Sequence, residues 1–320
     1  MYKEINGGVC APKGFRASGV HCGVKGDGNT AKKDLALIVS DVECAAAGTF
    51  TTNQVKASPV YLSMKNVADG KAKAIVCNSG NANACAPQGE ENALKMCEET
   101  AKILGLAPEE VLVASTGVIG HTLNIDAIVN GLPAAEKALS YEGSEDAAGA
   151  IMTTDLVMKQ ISVELELGGK AVRIGGIAKG SGMIHPNMGT MLSFVTTDAA
   201  VEGETLKKML RDVVRVTFNR ISVDGDTSTN DTCLILANGL AENALITEGT
   251  ADYEAFSEAL TFVLRTLAVK IAKDGEGATK LITCNVTGAS GEERAEVIAK
   301  AVIRSPLVKT AMFGSDANWG

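Results

Sequence analysis

The chain has 320 residues, 46% apolar and 21% charged, with 38 acidic against 30 basic side chains and a net charge of −8. That is the composition of a globular protein with ample length for a core, and it excludes the concentrated basic surface that nucleic acid requires. Aromatic residues make up only 4%, too few for a base-stacking platform or a membrane aromatic belt.

The N-terminal stretch "MYKEINGGVCAPKGFRASG" carries no apolar signal core, and no segment approaches the roughly eighteen apolar residues of a membrane helix. A cytoplasmic protein with no membrane partner is expected. "LALIVSDV" (35–42), "AKAIVCNSG" (72–80) and "EVLVASTG" (110–117) are apolar, β-branched runs that predict strands. Between the last two, "GEENALKMCEETAKILGL" (89–106) repeats Ala93, Met96, Cys97, Thr100, Ile103 and Leu104 at helical spacing, with Gly105 as the stop. "ISVELELGGKAVRIGGIA" (161–178) predicts a hairpin turned at Gly168-Gly169. Further helices are predicted over 203–218, 253–275 and 291–305, and further strands over "DTCLILANG" (231–239) and "TKLITCNVTG" (279–288). The pattern is mixed α/β, with helices covering the faces of sheets.

The eight cysteines (10, 22, 44, 77, 85, 97, 233 and 284) include no C-x-x-C pair, and the three histidines stand apart. Reduced thiols packed as small core residues are expected, and no metal site.

Several polar stretches carry candidate chemistry. "KGSGMIHPNMGTML" (179–192) ends in Gly189-Thr190 ahead of an apolar run. A threonine hydroxyl can attack the preceding carbonyl, and hydrolysis of the resulting ester frees an N-terminal threonine. Its α-amine, with a reference pKa near 8, then serves as base for its own hydroxyl. A loop entering a strand is the plain structural alternative. "STGVIG" (115–120) ends a strand, where a Thr-Gly pair can offer a hydroxyl and an N–H to an oxyanion, or simply turn the chain into a helix. "FNRISVDGDTSTND" (218–231) fails as a calcium loop because its sixth and twelfth positions are Thr229 and Ile235. It remains readable as an aspartate phosphatase nucleophile or as a loop knitted by its own side chains, and the latter is favoured. In "DGEGATKLI" (274–282), Glu276 sits between glycines where it could meet an amine, or be a solvated turn carboxylate. "NSGNANAC" (78–85) and "IMTTD" (151–155) are polar clusters beside apolar segments.

Taken in order from "GGVCAPKGFRASGV" through "FTTNQVKASPV", "NSGNANAC", "STGVIG", "TTD", "KGSGMIHPNMGTML" and "FNRISVDGDTSTND" to "DGEGATK", the chain resembles the glutamate N-acetyltransferase, or ornithine acetyltransferase, family of arginine biosynthesis. The resemblance implies a layered α/β sandwich with a smaller second α/β region. It implies self-cleavage into residues 1–189 and 190–320, both contributing to one active site, in an α2β2 assembly. It implies Thr190 as nucleophile, Thr116 and Gly117 as oxyanion hole, and Thr153, Lys179, Thr190 and Glu276 as substrate-binding residues. The implied reaction moves acetyl from N2-acetylornithine to glutamate without a cofactor. Acetyl-CoA as an additional donor is left open. Two departures stand out: Gly189 replaces the family's usual alanine before the nucleophile, and family chains run on beyond a segment like "SDANWG", so a C-terminal part of the fold is expected to be missing. A self-processing aminopeptidase of the same fold and an inactive truncated homologue are the alternative readings.

Overall fold

The computed structural model describes residues 1–26, 28, 30–185 and 191–317. Its strands are β1 (Tyr2–Ile5), β2 (Phe15–Val20), β3 (Leu35–Phe50), β4 (Lys71–Asn81), β5 (Val111–Val118), β6 (Lys159–Leu167), β7 (Lys170–Lys179), β8 (Leu192–Thr197) and β9 (Thr232–Ala237). Its helices are α1 (Ser58–Asn66), α2 (Gly89–Leu104), α3 (Ile125–Lys137), α4 (Ser144–Ala150), α5 (Gly203–Val216), α6 (Ala251–Lys273), α7 (Glu292–Arg304) and α8 (Pro306–Gly314).

The strands form one sheet in the order β1-β6-β7-β8-β9-β3-β4-β5, with β2 paired to β3. The β4–β5 and β8–β9 pairs are parallel and the remainder antiparallel. β3 extends well beyond the expected 35–42. A register break between Val39 and Cys44 lets its first half pair with β2 and β4 and its second half with β9, as a bulge bends a long strand. The hairpin between β6 and β7 forms as read, with Gly168 at φ 55° and Gly169 at φ 77°, the doubly positive turn that glycine accommodates without strain.

Period-two alternation divides the apolar side chains between the two faces. On one face Ile38, Ile75, Leu112, Phe194 and Leu234 meet in a shared core closed by Ala147 and Ala148 of α4. On the other, β6–β9 are covered by α5 and α6 through Leu210, Val214, Phe256, Leu260, Val263 and Leu267. The β3–β5 part is covered by α2 and α3 through Met96, Cys97, Ile128 and Leu132. This is the layered α/β arrangement expected. All eight cysteines are free, and Cys10, Cys44, Cys77, Cys97 and Cys233 are buried.

One expected element is absent. Residues 279–288 form no strand. Their exposure alternates, with Ile282, Cys284 and Val286 half-buried between exposed neighbours. The segment has a strand's periodicity, but no neighbouring strand among the described residues completes its hydrogen bonds, and pairing, not pattern, defines a sheet.

Candidate active site

Parallel β4 and β5 end side by side, with Ser79 opposite Thr116 and Gly80 opposite Gly117. Gly117 has φ +134°, and a Cβ there would lie 2.3 Å from the Gly80 carbonyl carbon and 2.5 Å from the Asn81 nitrogen. Only glycine permits this approach. The turn is held from below. Ser115 donates to Asn78 Oδ1 (2.6 Å), Asn78 Nδ2 donates to the Asn81 carbonyl (2.9 Å), and Asn230 Nδ2 bridges the carbonyls of Ala82 (2.7 Å) and Ser115 (2.8 Å). "NSGNANAC" is thus a structural bracket for the Thr116–Gly117 corner.

Lys179 ends β7 and is 7% exposed. Its Nζ donates to Thr153 Oγ1 at 2.7 Å and to Thr116 Oγ1 at 3.3 Å, and lies 3.8 Å from Asp155 Oδ2. One ammonium on β7 therefore gathers Thr116 from the end of β5 and Thr153 and Asp155 from the loop between α4 and β6. Burial pushes the Lys179 amine below its ordinary value, aided by the Lys159 charge and opposed by Asp155. Burial works to raise the Asp155 carboxyl, but Lys179, Lys159 and the Gly180 N–H outweigh it and hold Asp155 ionised below the usual range.

Beyond Lys179 the chain is pinned residue by residue. The Gly180 N–H donates to Asp155 Oδ1 (2.6 Å), Ser181 Oγ to the Asp274 carbonyl (2.7 Å), and the Ile184 N–H to Asp224 Oδ1 (2.9 Å). The Val223 N–H donates to the Ile184 carbonyl (2.6 Å), and His185 Nδ1 lies 3.2 Å from Ser222 Oγ. Residues 222–231 are accordingly the brace of this approach. Asp224 lies off any strand and also accepts the Asp226 N–H (3.0 Å). The phosphatase reading, which needs an aspartate at a strand end, fails on that ground, and the knitted-loop reading holds.

Gly189 and Thr190 lie outside the described residues. The chain resumes at Met191, whose carbonyl accepts the Thr232 N–H (3.0 Å) and whose N–H bonds Asp231. Asp231 is wholly enclosed, its Oδ2 has no hydrogen-bond partner among the described residues, and burial raises its carboxyl well above the ordinary value. Glu276 is exposed at the rim. Its N–H donates to the Ser181 carbonyl (3.1 Å), and its carboxylate abuts Gly182, where a Cβ would come within 2.5 Å of Oε1.

The residues that sequence reasoning missed are Asp231, Lys159 and Asp274. Lys159 is 1% exposed and pairs with Asp155 (2.7 Å) and Asp274 (2.6 Å). The only available signal was the four-residue spacing of Asp155 and Lys159. Among the described residues no three His, Cys, Asp or Glu side chains converge as a metal group would need, and no helix is long and apolar enough to cross a membrane.

A family model described as the ArgJ family matches residues 16–320. The arginine biosynthesis bifunctional protein ArgJ of Caldanaerobacter subterraneus is 54% identical over 317 residues, spanning 99% of this chain and 78% of that protein. Its counterpart from Symbiobacterium thermophilum is 56% identical over 317 residues, spanning 99% and 79%. Among solved structures, ornithine acetyltransferase of Mycobacterium tuberculosis, complexed with ornithine, is 37% identical with a TM-score of 0.53, covering 58% of this chain and 99% of that one. The L-aminopeptidase D-Ala-esterase/amidase of Ochrobactrum anthropi, an Ntn-hydrolase variant, is 11% identical with a TM-score of 0.53 over 84% of this chain and 86% of its own. At that identity the likeness is one of fold.

Proposed function

The chain belongs to the ArgJ family, and from that premise we propose that it moves acetyl from N2-acetylornithine to glutamate through an ester on Thr190. It is an acyltransferase of arginine biosynthesis. In this reading the bond between Gly189 and Thr190 is broken first, giving chains 1–189 and 190–320 that remain together and assemble as α2β2 in the cytoplasm. The Thr190 α-amine takes the proton of its own hydroxyl as the oxygen attacks the acetyl carbonyl. The tetrahedral oxyanion accepts from the Thr116 hydroxyl and the Gly117 N–H. Cleavage of the C–N bond returns the proton to the departing ornithine amine. The glutamate amine then attacks the ester by the same steps in reverse, and acetyl-CoA loading the same ester would be a second donor.

The observation that carries this reading is the Lys179 ammonium donating to both Thr116 Oγ1 and Thr153 Oγ1. By filling a lone pair of the Thr116 oxygen, Lys179 leaves the Thr116 O–H as the group that must point elsewhere, into an oxyanion. The same buried cation suits a substrate carboxylate, and the exposed Glu276 carboxylate suits a substrate amine. Neither role calls for a cofactor or metal ion. The aminopeptidase shares the architecture alone, whereas the two ArgJ relatives are 54% and 56% identical to this chain over the 317 residues aligned.

Intact mass and N-terminal sequencing of the purified protein beside Thr190→Ala, followed by an acetyl-transfer assay from N2-acetylornithine to glutamate, test the proposal. Two chains are expected, the second beginning Thr-Met-Leu-Ser and absent in the variant, with a burst of acetyl-enzyme on mixing. A single uncleaved chain without transfer would overturn it. Release of amino acids from peptides without transfer would install the aminopeptidase reading instead.

A further inference from the structure

The three side chains assigned above to substrate binding, Thr153, Lys179 and Glu276, come from three segments distant in sequence. They converge on a single buried ion network centred on Lys159, which Lys179 joins only at its edge through Asp155. Lys159 opens β6 directly opposite Ala178, the residue before Lys179. Its three ammonium protons have three acceptors: Asp155 Oδ1 at 2.7 Å, Asp274 Oδ2 at 2.6 Å and the Val157 carbonyl at 3.2 Å.

Each carboxylate then fixes one side of the site. Asp155 accepts the Thr153 N–H (3.1 Å) and the Gly180 N–H (2.6 Å), and its Oδ2 stands 3.8 Å from the Lys179 ammonium. Asp274 accepts the N–H groups of Leu156 (3.1 Å) and Val157 (3.4 Å) through its side chain, while its carbonyl accepts Ser181 Oγ (2.7 Å). The Ser181 carbonyl in turn accepts the N–H of Glu276, two residues past Asp274. Thr153, Lys179 and Glu276 are thereby each within two residues of a group bonded to this network, or in contact with it.

Cores stable through apolar packing do not need such an arrangement. A buried ion pair with apolar residues in its place is often no less stable, so its retention calls for a role other than stability. Two carboxylates around one lysine also set a charge balance. With the Lys159 charge present, Asp155 is shared and Lys179 stays directed at the two threonine hydroxyls. Without it, Lys179 is the remaining cation within reach of Asp155.

We propose that Lys159, bridging Asp155 and Asp274, is a positioning residue that holds Thr153, Lys179 and Glu276 in register for the substrate. The proposal rests on the substrate-binding reading of those three residues. It predicts an effect on binding that is separable from any effect on stability.

Four variants of the full chain, assayed for acetyl transfer from N2-acetylornithine with melting temperatures measured alongside, decide it. Asp274→Asn keeps the side-chain shape, touches none of the three binding residues, and is expected to raise KM about fivefold or more with kcat within about threefold, the pattern of lost uniform binding. Lys159→Met is expected to raise KM further. Should it fail to fold because two buried carboxylates lose their counter-ion, Asp274→Asn carries the test alone. Leu260→Ala, in the α6 core, is expected to lower the melting temperature and leave KM unchanged, which separates positioning from general destabilisation. An Asp274→Asn protein that melts lower but binds substrate as the wild type does would overturn the proposal. Lys179→Met distinguishes the two levels. If it raises KM while Asp274→Asn does not, the network is structural and the substrate-binding reading survives. If it too leaves KM unchanged, that reading falls and the positioning role falls with it.

Discussion

Residues 179–185 read in the sequence as a loop and most of residues 279–305 as a strand and a helix, and the structure ties the first down more firmly than the second, which it continues to residue 317. The first is short and rich in glycine, with Met183 and Ile184 as its apolar residues. Yet Lys179, Gly180, Ser181, Ile184 and His185 each have a named polar partner from another part of the chain. The second contains an alternating apolar run and two amphipathic helices, the usual marks of ordered structure. None of its side chains belongs to a core among the described residues, and Leu281, Val297, Leu307 and Phe313 are exposed. Its ties to the body of the molecule are peripheral, such as Arg220 to Glu292 and Lys309 to the Val223 carbonyl, and Lys280 reaches the Met312 carbonyl within the segment itself. Between it and α6 lies a cavity of about 1130 Å³ bordered by Val216, Ile221, Ala268, Val286, Ile303 and Met312. Order around the site comes from satisfied buried polar groups, and amphipathic pattern without a partner yields only loose association.

If that contrast is sound, the largest effects belong to single polar atoms beside the pinned loop. Thr116→Ala deletes one hydroxyl, and kcat for acetyl transfer is expected to fall about 10²–10³-fold, the usual cost of one oxyanion donor. Thr116→Ser, which keeps the hydroxyl, should stay within about tenfold of the wild type. Equal losses for the two, measured by steady-state kinetics, would remove Thr116 from the oxyanion role and leave it a partner of Lys179 only.

An intermediate effect is expected at Asp231, where the pinned region carries a buried carboxyl with one oxygen unpartnered among the described residues. Burial raises its native value, while the Met191 N–H, the Thr51 hydroxyl and the Lys179 charge work against the shift. Between the unfolded value near 3.9 and the raised native value, the folded chain holds a proton that the unfolded chain has released. Its contribution to stability is therefore complete below pH ~3.9 and is lost as pH rises, at about 1.4 kcal/mol per pH unit across the window. Asp231→Asn cannot titrate. Melting curves from pH 4 to 8 should show the variant gaining on the wild type as pH increases. If the variant instead loses ground, Asp231 is ionised and paired with Lys179 in the folded protein.

Much of this was legible in the sequence. Gly168-Gly169 specified the hairpin, Gly105 stopped α2 in the left-handed conformation at φ 67°, and the three-and-four spacing located α5, α6 and α7 to within two residues at either end. Thr116, Gly117, Thr153, Lys179 and Glu276 were named from the family resemblance, and the structure brings the first four into one corner. The ion network was not legible, because a lysine at the head of an apolar strand carries no sign that two carboxylates distant from one another in sequence will enclose it. The long second half of β3 was hidden for a related reason. "ECAAAGTF" has Thr49 as its one β-branched residue among small ones, and β9 recruits it across a bulge. The strand expected over 279–288 failed in the opposite direction. Its alternation was read correctly, but the pairing that would make it a strand is a tertiary fact.

That failure supplies the smallest and most discriminating prediction. Leu281→Ser and Val297→Ser remove exposed apolar side chains from a segment outside every core, so each should shift unfolding free energy by no more than about 0.5 kcal/mol. Asn230→Ala, which deletes two buried hydrogen bonds to the Ala82 and Ser115 carbonyls, should cost about 1–3 kcal/mol although it removes a smaller and more polar side chain. Urea denaturation measures both. Amide exchange offers a second view of the same difference, since segments with few buried contacts open at the low end of the stability range. Exchange over 279–288 should be fast while that of Gly180 and Ile184, whose N–H groups are bonded to the Asp155 and Asp224 carboxylates, is slow. Were 279–288 protected as strongly as Ile184, its half-buried face would have found a partner in solution, and the alternating pattern would have been a strand's after all.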